Sequence, residues 1–98
     1  EYERALIFAS HLGAMQRIYE RCRTHARERK QFGQSISKFA GVSDRLVRMR
    51  MDLELGRLLL HKIAVAKDQG SKAPMESAMA KLFISEAYLA AALDAIQI

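Results

Sequence analysis

Residues 42–63, VSDRLVRMRMDLELGRLLLHKI, decide the fold. Val42, Leu46, Met49, Leu53, Gly56, Leu60 and Ile63 recur at alternating steps of four and three, which lays one apolar stripe along an α-helix. Charged residues such as Asp44, Arg48, Arg50 and Arg57 fill the intervening positions, so the opposite face stays in water. The same rhythm runs upstream through Ala5, Phe8, Leu12, Met15, Tyr19, Cys22 and Ala26. Downstream it runs through Met75, Ala78, Leu82, Ser85, Leu89, Ala92 and Ile96, with Phe83 and Ala87 widening the stripe. Met15, Met49 and Met75 sit at these core spacings and read as ordinary packing.

Two breaks separate the stripes. Gln31-Phe32-Gly33-Gln34-Ser35 ends the first helix, with Gly33 placed as the residue that takes positive φ after it. Gln69-Gly70-Ser71-Lys72-Ala73-Pro74 ends the second, and Pro74 fits the first turn of the third. The expectation is all-α: helices over about 4–30, 40–69 and 74–98, joined by short connections that favour antiparallel neighbours. Three long amphipathic helices leave an up-down bundle unfinished. The single domain 1–98 therefore reads as part of a longer protein whose fourth helix lies in further sequence or another subunit.

Composition agrees. The chain has 98 residues, half of them apolar, with one proline and five glycines, too apolar for disorder and too poor in turn residues for an all-β fold. Cys22 is alone, so no disulfide framework exists, and it reads as a small core residue. No apolar run approaches the roughly 18 residues that cross a bilayer. The expected setting is reducing and intracellular: bacterial cytoplasm, or mitochondrial matrix in a eukaryote. The net charge is +5, and Arg17, Arg21, Arg23, Arg27, Arg29 and Lys30 cluster against only Glu20 and Glu28. Aromatic rings are not interleaved with these cations, which argues against nucleic acid.

Chemistry-bearing motifs are few. No Glu-x-x-His pair occurs, and His11, His25 and His61 are too scattered for a metal signature. Glycine-rich phosphate loops are absent. Two roles fit Arg29-Lys30-Gln31-Phe32-Gly33: a cationic helix end closed by a glycine cap, or an arginine fork and an aromatic ring that grip a pyrophosphate and shield a ring system. Two roles also fit Glu3: a solvated carboxylate at a helix start, or a buried general base with raised pKa.

Three ordered blocks carry a resemblance. Arg29-Lys30-Gln31-Phe32-Gly33-Gln34-Ser35-Ile36, Ala80-Lys81-Leu82-Phe83-Ile84-Ser85-Glu86-Ala87 and Asp94-Ala95-Ile96-Gln97-Ile98, with Glu3-Arg4-Ala5 and Leu12-Gly13-Ala14-Met15-Gln16, look like the C-terminal helical domain of acyl-CoA dehydrogenases. The resemblance covers the whole chain. It implies an FAD flavoprotein that desaturates acyl-CoA thioesters at the α,β positions and passes electrons to an electron-transfer flavoprotein. It also implies a homo-oligomer, typically a dimer of dimers.

Residue by residue, Arg29 resembles the arginine that contacts the FAD pyrophosphate of the neighbouring subunit. Phe32 resembles the ring that packs on that cofactor, with Ile36 and Phe39 as weaker contacts. Gln97 is similar to the glutamine that approaches the adenine-nucleotide half. Glu1, Tyr2, Glu3 and Arg4 fall where the family lines the acyl-CoA site. Most members carry the catalytic glutamate on a later loop. A minority, typified by the isovaleryl-CoA and long-chain enzymes, place it on this first helix before an arginine, and Glu3 occupies that position. The sequence departs from the family after Phe39, where Ala40-Gly41 replaces a usual FAD-binding glutamine at a cost of about 0.5–1.5 kcal/mol of hydrogen bonding. That departure keeps a flavin oxidase or monooxygenase of the same fold, or an enzyme acting on carrier-protein thioesters, as alternatives; a helical interaction module without flavin is a further one from a different class.

Overall fold

The computed structural model describes residues 2–31, 33–36, 39–70 and 72–97, with side chains from Ile7 onward. Three helices make up nearly all of it: α1 (Tyr2–Glu28), α2 (Ala40–Asp68) and α3 (Pro74–Gln97). Each packs against the other two in an up-down-up bundle extending 56 × 17 × 16 Å. α1 and α3 therefore run parallel, with α2 antiparallel to both.

The core forms where the stripes of α1 and α2 meet. Phe8, Leu12, Met15 and Cys22 from α1 face Met49, Leu53 and Ile63 from α2, all buried. Gly56 is what lets α1 and α2 approach, because a Cβ there would lie 2.6 Å from Leu12 Cδ2. From Phe8 onward the stripes read from these two helices thus face inward, while the Ala5 side chain lies outside the described residues.

α3 corrects the reading of its own stripe. Its inward face is Ser77, Ala80, Ile84, Ala87 and Ala91, again at steps of three and four. Met75, Leu82, Leu89 and Ile96, read as core, are 61–78% exposed. The reason is that α3 is apolar on two faces. Periodicity picks out both, and bulk favours the wrong one, because the inward face is built from small residues that allow close approach. Together with Met51, Leu55 and Leu58 of α2, the outward face leaves a large apolar surface uncovered. Between the two helices runs a groove of about 420 Å³ lined by Leu55, Leu58, Leu59, Lys62, Met79 and Phe83.

The first break is also corrected. α1 stops at Glu28, and the chain then forms a two-stranded antiparallel hairpin, β1 (Lys30–Gln31) and β2 (Gln34–Ser35). Gly33, with φ of +80°, serves the turn of this hairpin and not the helix end. The second break follows expectation: α2 closes at Gln69, Gly70 takes φ of +86°, and its N–H donates to the Lys67 carbonyl. Pro74 opens α3 after Ala73, a buried residue held at φ of +48°.

Candidate functional site

The hairpin is built onto the end of α1. The Arg29 N–H donates to the His25 carbonyl at 2.9 Å, and the Ile36 N–H returns to the Arg29 carbonyl at 2.9 Å. The last turn of a helix leaves carbonyls without partners. One of them, on Ala26, accepts the Ser35 hydroxyl at 2.6 Å, which pins β2 to the helix. Ile36 is then buried, and its carbonyl accepts the Phe39 N–H at 3.1 Å, so the chain enters α2 at a fixed angle.

This geometry gathers several of the candidate residues at one end of the bundle. Arg29 and Lys30 are exposed on the hairpin, and Arg29 makes no ion pair among the described residues. Phe39 is half-buried at the mouth of α2, where its carbonyl accepts the Val42 and Ser43 N–H groups. Gln97 is exposed at the last turn of α3. Ile36 supports this end from inside. Phe32 lies outside the described residues.

Two exposed cations at the hairpin, a half-buried ring and an exposed amide fit the anionic and adenine portions of a dinucleotide. Exposed Arg23 and Arg27 add to its positive potential.

Glu3 stands at the other end. Tyr2, Glu3 and Arg4 belong to the first turn of α1, while their side chains, like all of Glu1, lie outside the described residues. At a rise of about 1.5 Å per residue, α1 separates Glu3 from Arg29 by about 39 Å. One cofactor does not meet both through this helix.

Two polar features were not legible in the sequence. Arg45 Nη1 donates to Asp94 Oδ1 at 3.0 Å across α2 and α3. His11 meets Tyr88 edge-on, with ring centroids 5.3 Å apart, and its buried Nδ1 has no hydrogen-bond partner among the described residues. Both pairings depend on the offset between helices, which no single-helix spacing reveals. Around Asp94 two groups are perturbed. Burial, then the Asp94 carboxylate, pushes the Cys22 thiol up. Burial raises the Asp52 carboxyl as well, with Arg48 opposing and Asp94 reinforcing the rise. Among the described residues, no three His, Cys, Asp or Glu side chains converge as a metal site, and no helix is long and apolar enough to cross a membrane.

The family model for the acyl-CoA dehydrogenase C-terminal domain matches residues 1–98. The L-prolyl-[peptidyl-carrier protein] dehydrogenase of Pseudomonas fluorescens is 43% identical over 99% of this chain and 26% of its own length. A solved structure described as PigA with FAD and proline superposes with a TM-score of 0.93 at 38% identity, covering 98% of this chain and 25% of that one. The prolyl acyl carrier protein oxidase AnaB superposes with a TM-score of 0.91 at 42% identity, covering 97% of this chain and 25% of that one. The chain spans about a quarter of the length of the curated relatives it matches. Its three-helix architecture, the match over its full length and the likeness to these structures have one conclusion: the chain belongs to the acyl-CoA dehydrogenase C-terminal domain family.

Proposed function

We propose that this domain belongs to an FAD-dependent enzyme that desaturates a thioester at its α,β positions, and that its two ends serve two different active sites. The observation that carries the reading is the separation of about 39 Å along α1 between Glu3 and the hairpin. Glu3 serves the substrate of its own subunit. The hairpin end, with Arg29, Phe32, Ile36, Phe39 and Gln97, serves the cofactor of a neighbouring copy. Such an enzyme is a homo-oligomer by construction, since each site is incomplete alone.

The residues divide the work by chemistry. The Arg29 guanidinium, exposed and without an ion pair among the described residues, neutralises a pyrophosphate, and Lys30 deepens the same field. Phe32 and Phe39 offer ring edges, and Gln97 offers an amide to an adenine. At the other end the Glu3 carboxylate accepts the α-proton, and Tyr2 and Arg4 line the thioester's path. The FAD, when bound, supplies the acceptor for the β-hydride. An electron-transfer flavoprotein is the onward acceptor in this reading.

The acyl carrier is proposed from relatedness: the Pseudomonas and Serratia relatives, 43% and 38% identical, are both named as prolyl-[peptidyl-carrier protein] dehydrogenases. We assign the substrate to that class, an aminoacyl thioester on a carrier protein, in preference to a free acyl-CoA. The likeness to AnaB, named an oxidase, favours one second reading, in which oxygen replaces the electron-transfer flavoprotein.

The test uses the full-length protein under anaerobic conditions. Its flavin absorption is expected to bleach on adding prolyl-carrier protein and to stay unchanged with acyl-CoAs. Glu3→Gln is expected to abolish the bleaching while leaving bound flavin intact. Unchanged bleaching in that variant removes Glu3 as the base, and bleaching by an acyl-CoA removes the carrier assignment. Rapid recolouring in air separates the oxidase from the dehydrogenase.

A further inference from the structure

Arg45 and Asp94 are not among the residues assigned to the cofactor, yet each lies within two helical turns of one that is. Arg45 lies six positions after Phe39 in α2, and Asp94 lies three before Gln97 on α3, on the same face of that helix. Their contact is 3.0 Å, and the Asp94 side chain is only 14% exposed. The other described ion pairs differ in kind. Arg50–Glu54 and Arg57–Glu54 lie within α2, and all their side chains are about half exposed. Exposed pairs of that sort contribute little. Among the described ion pairs, only Arg45–Asp94 joins two helices, and it does so at the hairpin end.

We infer that Arg45 and Asp94 are positioning residues for the dinucleotide, clamping the start of α2 to the end of α3 so that Phe39 and Gln97 are held at a fixed separation. The inference rests on the cofactor role proposed for that end. The hairpin has its own latch in the Ser35–Ala26 hydrogen bond; at the last turn of α3, where Ala95 packs on the core, the described interhelical ion pair is Arg45–Asp94. Helix ends fray, and a frayed terminus must be ordered again each time a ligand binds. With the clamp in place, that cost is met in the fold and not in the complex. Arg45 is suited to the task because its long side chain carries a planar guanidinium across the helix gap to the Asp94 carboxylate.

The test measures FAD affinity by flavin fluorescence as full-length apoprotein is reconstituted, alongside the thermal midpoint of each apoprotein. Arg45→Met and Asp94→Asn are each expected to weaken FAD binding about tenfold. Arg45→Lys, which keeps the charge and one contact, is expected to retain most of the affinity. Ile63→Val is the control: it thins the core at the opposite end of α2, so it lowers the thermal midpoint and leaves FAD affinity unchanged. Wild-type affinity in Arg45→Met and Asp94→Asn overturns the inference. So does Arg45→Lys binding as weakly as Arg45→Met, or Ile63→Val weakening FAD to the same degree. A wild-type apoprotein that takes up no FAD fails the cofactor reading itself, and the positioning role falls with it.

Discussion

Asp52 shows how a single side chain carries a pH signature. Burial, reinforced by Asp94, raises its carboxyl from the ordinary value despite Arg48. The fold therefore binds this proton more tightly than the unfolded chain does, and ionisation at neutral pH costs stability. That stability is fully present below the ordinary value near 3.8 and is lost as the pH rises through the raised one. Asp52→Asn should accordingly raise the thermal midpoint at pH 7, with the gain shrinking to nothing as the pH is lowered through the carboxylate range. A gain that persisted in acid would assign the effect to packing. Gly56 makes a second residue-scale prediction. Alanine there gains about 1 kcal/mol of helix propensity but collides with the buried Leu12, and overpacking of this kind costs about 2 kcal/mol. Gly56→Ala is expected to lower unfolding stability by about 1 kcal/mol in denaturant titration.

At the scale of elements, the long helices were readable and the short strands were not. The sequence places α1, α2 and α3 within two residues of their observed ends, because each amphipathic stripe repeats over many turns. β1 and β2 are two residues each, too short for any period to register, so the Phe32–Gly33 break read as a helix cap. Only the need for positive φ at Gly33 was visible, and it served a different turn. No atom would lie within 4 Å of a Cβ at Gly33, so its role is purely conformational. Gly33→Ala is expected to cost about 1 kcal/mol from the left-handed backbone alone and to weaken flavin retention by loosening Arg29. Full stability in that variant would show that the turn tolerates another conformation. α3 teaches a different lesson. A helix apolar on two faces has no unique stripe, and its inward side is settled by which face is small enough to approach α1 and α2. Ala80, Ala87 and Ala91 won that contest over Leu82 and Leu89.

At the largest scale the chain is a rod, and the proposed function gives it two working ends. Its 56 Å length follows from three helices laid side by side, and it puts Glu3 and the hairpin too far apart to act on one cofactor. Sequence resemblance named the candidate residues; the length of α1 sets them about 39 Å apart, and the proposed function divides them between sites on that ground. The account predicts that catalysis is shared across a subunit interface, and mixed oligomers test this most directly. Subunits carrying Glu3→Gln and subunits carrying Arg29→Ala are each expected to be inactive or flavin-depleted as homo-oligomers. When the two are combined in one dimer, one site pairs an intact Glu3 with an intact Arg29 from its neighbour, while the other lacks both. Full-length mixed dimers should therefore regain thioester-dependent flavin reduction in one site of two. If the mixture stays as inactive as its parents while both variants fold and assemble, Glu3 and Arg29 act within one subunit and the account is wrong.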